Sequence, residues 1–406
     1  NVTPSYSTSA VNLYAVYSRT LTITYNGNGN TGGSTGNTTA TIYLNTESTT
    51  TSSQSITLAA NGFSKTGHTF SKWAAGSTGG TQYGASTAYN PNVAYDATTF
   101  GVTMYAIWSA NGYQVDFYQG STKLKTQTGF TYGTAKALDA YSGTAPSPGG
   151  WAFAGWSTTT NGTTVNYANQ ASVSTLATSG TVNLYAVFKR TITFKSGASA
   201  GTTNGSLEQR YNPYSTSYVT SVTAPSVTAV SNWTVLGWRA DTTATTAAVA
   251  AGASVTPAYN TTATTYYGVY SRQILIYSAV NKATSNASNK PTQYLNAYNN
   301  TVTSITAPAP AAISNWTANG YRADTTAASR SYAITTAAGS VSPAYNTGNT
   351  LYAVYTRTLT VSYNGNSNTG GSTAATTATA YLNTNSTTTS SQPITLAANG
   401  FSRNGI

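Results

Sequence analysis

The chain contains no cysteine. That excludes a disulfide framework and any thiolate metal site, and it leaves the compartment open. Charge is scarce too. Only 6% of the 406 residues are charged, against about 25% in ordinary globular proteins. There is one histidine, His68, and one methionine. No apolar run approaches the roughly 20 residues that a membrane-spanning helix needs. The chain opens at Asn1 with no leader sequence, so any targeting segment is expected to lie outside this stretch.

Polarity comes instead from Thr, Ser, Asn and Gly. The hydrophobic fraction is 39% and includes 32 Tyr. This is enough apolar material for packed cores and is unlike a disordered chain. The net charge of +11 raises the possibility of a nucleic-acid or anionic partner. The distribution argues against it. Arg19, Lys65, Lys72, Arg190, Arg210, Arg239, Arg272 and Arg357 are spread singly, and the closest group is Lys123, Lys125 and Lys136. They read as a thinly charged, solvated surface.

Internal repeats dominate the pattern. Leu13-Tyr14-Ala15-Val16-Tyr17 recurs as Met104-Tyr105-Ala106-Ile107-Trp108, Leu184-Tyr185-Ala186-Val187-Phe188, Tyr266-Tyr267-Gly268-Val269-Tyr270 and Leu351-Tyr352-Ala353-Val354-Tyr355. Between these lies a second motif at steady phase. Its copies are His68-Thr69-Phe70-Ser71-Lys72-Trp73, Trp151-Ala152-Phe153-Ala154-Gly155-Trp156, Trp233-Thr234-Val235-Leu236-Gly237-Trp238 and Trp316-Thr317-Ala318-Asn319-Gly320-Tyr321. An offset of 338 residues then restores the sequence almost verbatim: Leu21 to Asn28 reappears as Leu359 to Asn366, and Ala59 to Ser64 as Ala397 to Ser402. A four-repeat unit has itself been duplicated.

The expected segments are 1–18, the end of a preceding repeat; 19–109, 110–189, 190–271 and 272–356, repeats one to four; and 357–406, the start of a further repeat. Thr20 to Tyr25, Tyr113 to Tyr118, Thr191 to Phe194 and Ile274 to Tyr277 alternate apolar and polar residues and read as strands. Asn26-Gly27, Asn28-Gly29 and Asn111-Gly112 mark turns. Gln170 to Thr178 and Thr245 to Ala251 are each expected to hold a short helix. Closing strands run almost directly into opening strands, so neighbours are expected at nearly fixed angles, each repeat adding about 30 Å. The expected fold class is mainly β, a β-rich α+β array of repeat domains with Trp73, Trp156 and Trp238 in their cores.

The two motifs resemble the Listeria–Bacteroides repeat family, also called internalin B-type repeats, with an opening strand, a "T-F-x-G-W" element and a closing "L-Y-A-x-W". The best match is Tyr113–Phe188, through Phe153, Gly155, Trp156, Leu184, Tyr185 and Ala186. The resemblance implies small β-grasp-like domains of bacterial surface proteins, hence export and a spacer or adhesive role. This chain is poorer in charge and richer in Thr, and its fourth copy has Tyr321 in place of Trp.

Candidate reactive groups are few. His68 occupies the position filled elsewhere by Trp151, Trp233 and Trp316, which makes it a repeat position before it is a base. Glu47, Asp96, Asp116, Asp139, Glu208, Asp241 and Asp324 are scattered, without the spacing of a catalytic carboxylate pair. Asp241 and Asp324 recur within Arg-Ala-Asp-Thr-Thr and are expected to cap a turn or pair with Arg239 or Arg322. No nucleophile elbow, P-loop or metal-ligand cluster is present. No catalytic, cofactor or metal site is therefore expected. The aromatics offer a sugar platform, but the Trp spacing favours a core.

Sequons at Asn37, Asn161, Asn204, Asn232, Asn260, Asn286, Asn299, Asn315 and Asn385, and Thr/Ser loops such as Ser48 to Ser53, are candidates for covalent glycans. The expectation is a secreted, cell-surface structural protein that self-associates into a fibre or stalk, with an adhesin or glycan-binding protein as the alternative. The 406 residues are expected to be a window on a longer continuous array. A head-to-tail swap would leave a composite domain lacking the counterpart of Trp73.

Overall fold

A computed structural model describes residues 3, 10–47, 51, 55–91, 101–279, 290–386 and 389–405. The protein is mainly β, with 48% strand and 2% helix. The helix consists of two 3-10 turns, Ala198–Ala200 and Tyr298–Asn300. Neither expected short helix forms, so the α part of the expected α+β class is not met. Within 170–178, Ser172–Val173 pairs with Lys136–Ala137 as strand. Within 245–251, Val249 exchanges backbone hydrogen bonds with Trp238. The motif Trp faces Gly268 in the ladder on one side, and on the other edge of its strand its N–H and C=O need a partner. The following chain folds back extended to supply one, which outcompetes the weak helix propensity of a Thr-rich stretch.

The chain divides into two compact units. One is Asn1–Thr144 with Phe153–Val187 and Asn212–Tyr218; the other is Ala145–Ala152 with Phe188–Tyr211 and Val219–Ile406. In the first unit, Thr22–Asn26 lies parallel to Gly101–Tyr105, and Tyr113–Tyr118 lies parallel to Gly180–Tyr185. In the second, Thr193–Lys195 lies parallel to Thr265–Tyr267, and Leu275–Tyr277 lies parallel to Thr350–Tyr352. In every case the opening strand of a sequence repeat is laid against its own closing strand. The opening strand also pairs antiparallel with the strand after it (Thr38–Asn45, Thr122–Thr131, Thr202–Tyr211). The closing strand likewise takes the motif strand (His68–Ala75, Thr234–Arg239, Thr317–Arg322).

Period-two alternation places the cores. Leu21 and Ile23 point inward beside Trp73 and Met104; Ile192 and Phe194 pack with Trp238 and Tyr266; Ile274 and Ile276 pack with Tyr321 and Leu351. Trp73, Trp156 and Trp238 are 0%, 1% and 0% exposed, as the motif spacing leads one to expect. The indole N–H of Trp73 donates to the Ala59 carbonyl (3.0 Å) and that of Trp238 to the Pro225 carbonyl (2.8 Å). Tyr321 takes the same place, its hydroxyl donating to the Pro308 carbonyl at 3.0 Å. The Trp156 indole N–H has no partner among the described residues.

The motif glycine has a steric cause. Gly155, Gly237 and Gly320 adopt φ of 149°, 144° and 129°. A Cβ there would collide with the carbonyl oxygens of Tyr167, Val249 and Tyr332, the segments that fold back onto the motif. The closing and opening strands are continuous or interrupted by one residue: Gly101–Ala110 precedes Gly112–Gln119, Gly180–Ser196 is a single strand, Thr265–Gln273 precedes Leu275–Tyr277, and Thr350–Val361 is again single. No helix among the described residues is long and apolar enough to cross a membrane.

Candidate functional site

The most elaborate polar constructions in the second unit are two buried arginines. Arg272 and Arg190 are each 4% exposed, although as isolated basic residues they read as solvated. Neither faces a carboxylate. The Arg272 Nε donates to Gln293 Oε1 (2.9 Å), Nη1 to the Thr347 carbonyl (2.7 Å), and Nη2 to the carbonyls of Ala344 (2.8 Å) and Pro343 (3.2 Å). Gln293 is held in turn by donating to the carbonyls of Thr303 and Pro343, both at 2.9 Å. Arg190 repeats the pattern. It donates to Gln209 Oε1 (2.8 Å) and to the carbonyls of Thr261 (2.9 Å), Ala258 (2.7 Å) and Pro257 (3.1 Å).

A turn of backbone carbonyls thus stands in for a counter-ion. Saturating the guanidinium donors offsets the cost of taking the charge out of water. Burial still pulls the Arg272 pKa down, from 12.5 to about 10, and that of Arg190 in the same direction. At about 10 the group remains a cation at neutral pH.

A tryptophan from the preceding repeat closes each socket. The Trp233 ring lies 4.3 Å from the Arg272 guanidinium and its N–H donates to the Tyr345 carbonyl (2.8 Å). Trp151 covers Arg190 at 4.3 Å and donates to the Tyr259 carbonyl (2.8 Å). The desolvated cation over a ring face is a favourable contact beyond the area it buries. Around Trp233, the residues Tyr270, Leu295 and Ala297 form an apolar cluster drawn from repeats three and four.

A second clasp lies beside the first. Asn296, at the end of a strand of repeat four, is fully buried and donates to the carbonyls of Asp241 (3.1 Å) and Thr243 (3.0 Å) in repeat three. Asn383 grips Asp324 (3.1 Å) and Thr326 (3.0 Å) in the same way, and Asn212 holds the Gly162 carbonyl at 2.7 Å. The gripped loop is shaped by Asp241, which pairs with Arg239 and accepts from the Thr243 N–H, as the Arg-Ala-Asp-Thr-Thr pattern implies; Asp324 does the same with Arg322 and Thr326. The arginine hydrogen bonds hold both carboxyls down at about 2.

Repeats one and two meet differently. Tyr113 stands where the others carry the arginine and stacks on Phe130 at 5.1 Å. His68 stands in the Trp position and meets the Tyr132 ring edge-on at 5.7 Å. Gly133 replaces the clasping Asn. Instead, Thr69 Oγ1 donates to Asn111 Oδ1 (2.6 Å), and Asn111 Nδ2 donates to the Thr178 carbonyl (3.0 Å).

The remaining acids are dispersed. Asp116 pairs with Lys123 at 2.6 Å, Asp139 with Lys125 at 2.7 Å and Glu208 with Arg210 at 2.7 Å, while Glu47 is exposed. No group of three His, Cys, Asp or Glu converges among the described residues. Asp96, Asn286 and most of Ser48 to Ser53 lie outside the described residues. Asn37, Asn161, Asn232, Asn260, Asn299 and Asn315 are exposed. Asn204 is engaged by its own fold, its amide donating to the Ser226 carbonyl and to Thr228 Oγ1.

No protein-family model matches the chain, and no curated protein is found as its relative. The resemblance to internalin B-type repeats therefore rests on the motif residues alone. Arg19, Arg190, Arg272 and Arg357 recur at one phase of the repeat, yet Arg19 and Arg357 are exposed, so recurrence in the sequence does not single out the two that are buried.

Proposed function

We propose that this protein is a structural building block of an extracellular bacterial fibre or surface stalk, working by self-association or as part of a longer array rather than by catalysis. The observation that carries this reading is the junction: the Trp of one repeat closes a buried Arg socket in the next, beside a strand that passes between them with at most one residue of interruption. Such a joint is costly to open, because opening it exposes a cation and leaves carbonyls unpaired. That cost is useful where load passes along a chain. Glycans on the exposed sequons would supply the hydration that charge does not. Negative-stain microscopy of purified material tests the proposal: fibres are the expected result, and dispersed compact particles at all concentrations would overturn it.

A second reading, a glycan-binding surface protein, is favoured by the exposed aromatic rings of Tyr43, Tyr214 and Tyr298. Concentration-dependent binding on a glycan array, lost when these three are changed to Ser, would favour it over the first.

A further inference from the structure

The second residue of each closing motif is a tyrosine: Tyr105, Tyr185, Tyr267 and Tyr352. All four are half-buried and turn away from the core that their neighbours fill. Directly opposite, in the parallel register, stands a residue of the opening strand. In repeats two and four that residue is also a tyrosine. Tyr118 faces Tyr185, with ring centroids 5.4 Å apart and planes at 27°; Tyr277 faces Tyr352 at 5.6 Å and 12°. In repeats one and three the opposing residues are Asn26 and Lys195.

We propose that Tyr118–Tyr185 and Tyr277–Tyr352 are sites of oxidative cross-linking, each forming an intrachain dityrosine bond. The chemistry needs an external one-electron oxidant, of the class of a haem peroxidase with hydrogen peroxide. Each phenol loses one electron and one proton. The two phenoxyl radicals join through a carbon–carbon bond between ring positions ortho to oxygen. The two hydrogens on those carbons then move to the oxygens and restore both phenols. The pair loses two hydrogen atoms in all, and one peroxide takes up the two electrons and two protons to give two waters.

Three features support the assignment. Stacked rings on adjacent strands lay their edges over one another, so a small side-chain rotation brings two ortho carbons together. A T-shaped pair aims one edge at the other's centre; Tyr267 and Tyr298 meet that way, at 5.0 Å and 64°. The two pairs reach the surface, whereas the stacked pair Tyr211 and Tyr259 lies beneath Trp151, with Tyr211 4% exposed and its phenol pKa pushed up by burial. Finally, each bond would tie the first strand of a repeat to its last, in a chain without cysteine. A cross-link closing so long a loop constrains the unfolded chain as a disulfide would. The inference rests on phenol geometry and does not require the chain to be part of a fibre.

The test treats the dilute full chain with a haem peroxidase and hydrogen peroxide, then maps cross-linked peptides by mass spectrometry. The expected products are intrachain linkages of Tyr118 to Tyr185 and Tyr277 to Tyr352, each lighter by two hydrogens, with dityrosine fluorescence. Tyr185→Phe should abolish the first linkage and leave the second unchanged; Tyr352→Phe should do the reverse. Neither change touches a core position, and circular dichroism of each variant confirms folding. The proposal is overturned if linkages at the two stacked pairs are no more abundant than at Tyr267–Tyr298 or between molecules, or if none forms while free tyrosine in the same tube couples.

Discussion

At the residue scale, similar side chains carry different loads. Trp238 fills the core of repeat three, and Trp238→Ala should cost about 3–5 kcal/mol through lost burial and a cavity; the same change at Trp156 should cost as much. Denaturant midpoints would measure both. Tyr321 shows how the position tolerates a smaller ring, because its hydroxyl reaches the carbonyl that the indole N–H reaches elsewhere. Tyr321→Phe keeps the ring and strands the Pro308 carbonyl, so a loss of about 1–3 kcal/mol is expected from the same measurement. The turn carboxylates set an acid limit. Asp241 and Asp324 lie near 2 when folded, below their ordinary 3.8. The unfolded chain therefore takes up protons more readily across that interval. Their contribution is complete above about pH 4 and is lost as pH falls toward 2. Both side chains are 51% exposed, so the slope should be shallow. Acid melts of Asp241→Asn should be flatter over this window than those of the parent; an unchanged slope would remove Asp241 from the account.

At the element scale, the recurring device is a bulge that turns the motif strand so that Trp faces inward. Ladder registers shift between Val235 and Gly237 and between Ala318 and Gly320. The extended chain that follows crosses over the glycine and pairs with the aromatic residue after it. Gly237→Ala meets both a positive φ and the Val249 carbonyl. A loss above about 1 kcal/mol is expected, greater than for Gly→Ala at an unstrained site; a thermal melt would check it. Repeat one bears Lys72 at this position with the same register shift, and Gln82–Tyr83 returns there to pair with Ala74 and Trp73. Lys72 does not take the positive φ of Gly155, Gly237 and Gly320, so glycine answers to that backbone conformation and not to the bulge itself.

At the scale of the whole molecule, the repeats are joined by two kinds of junction. Socket and clasp hold repeat four to repeat three, whereas repeats one and two are joined through Tyr113, His68 and Asn111. Trp233→Ala should leave the core of repeat three folded, since Trp238 remains. It should also uncover Arg272 and weaken the coupling to repeat four. Calorimetry of the full chain is expected to show a transition of repeats three and four that broadens or splits in this variant. His68→Ala, which removes an edge-on ring contact and a hydrogen bond between Nδ1 and the Thr66 carbonyl of its own repeat, should change the trace far less. Equal effects would mean that the Arg sockets contribute nothing beyond ordinary contact.

The sequence by itself determined the repeat, the strand identities of Thr20 to Tyr25 and Tyr113 to Tyr118, the burial of Trp73, Trp156 and Trp238, and the local pairing of Asp241 with Arg239. These are short-range properties, written in alternation and in neighbours two residues apart. The tertiary structure decided the rest. Gln170 to Thr178 and Thr245 to Ala251 became extended returns because a distant backbone needed partners. Arg190 and Arg272 became buried because carbonyls some 70 residues further on converge around them. Trp151 and Trp233, which open the same motifs that Trp156 and Trp238 close, became lids on the next repeat. Periodicity reports which face of a strand a residue occupies. It does not report what covers that face, and for a cation that covering alone separates a solvated surface charge from a buried joint.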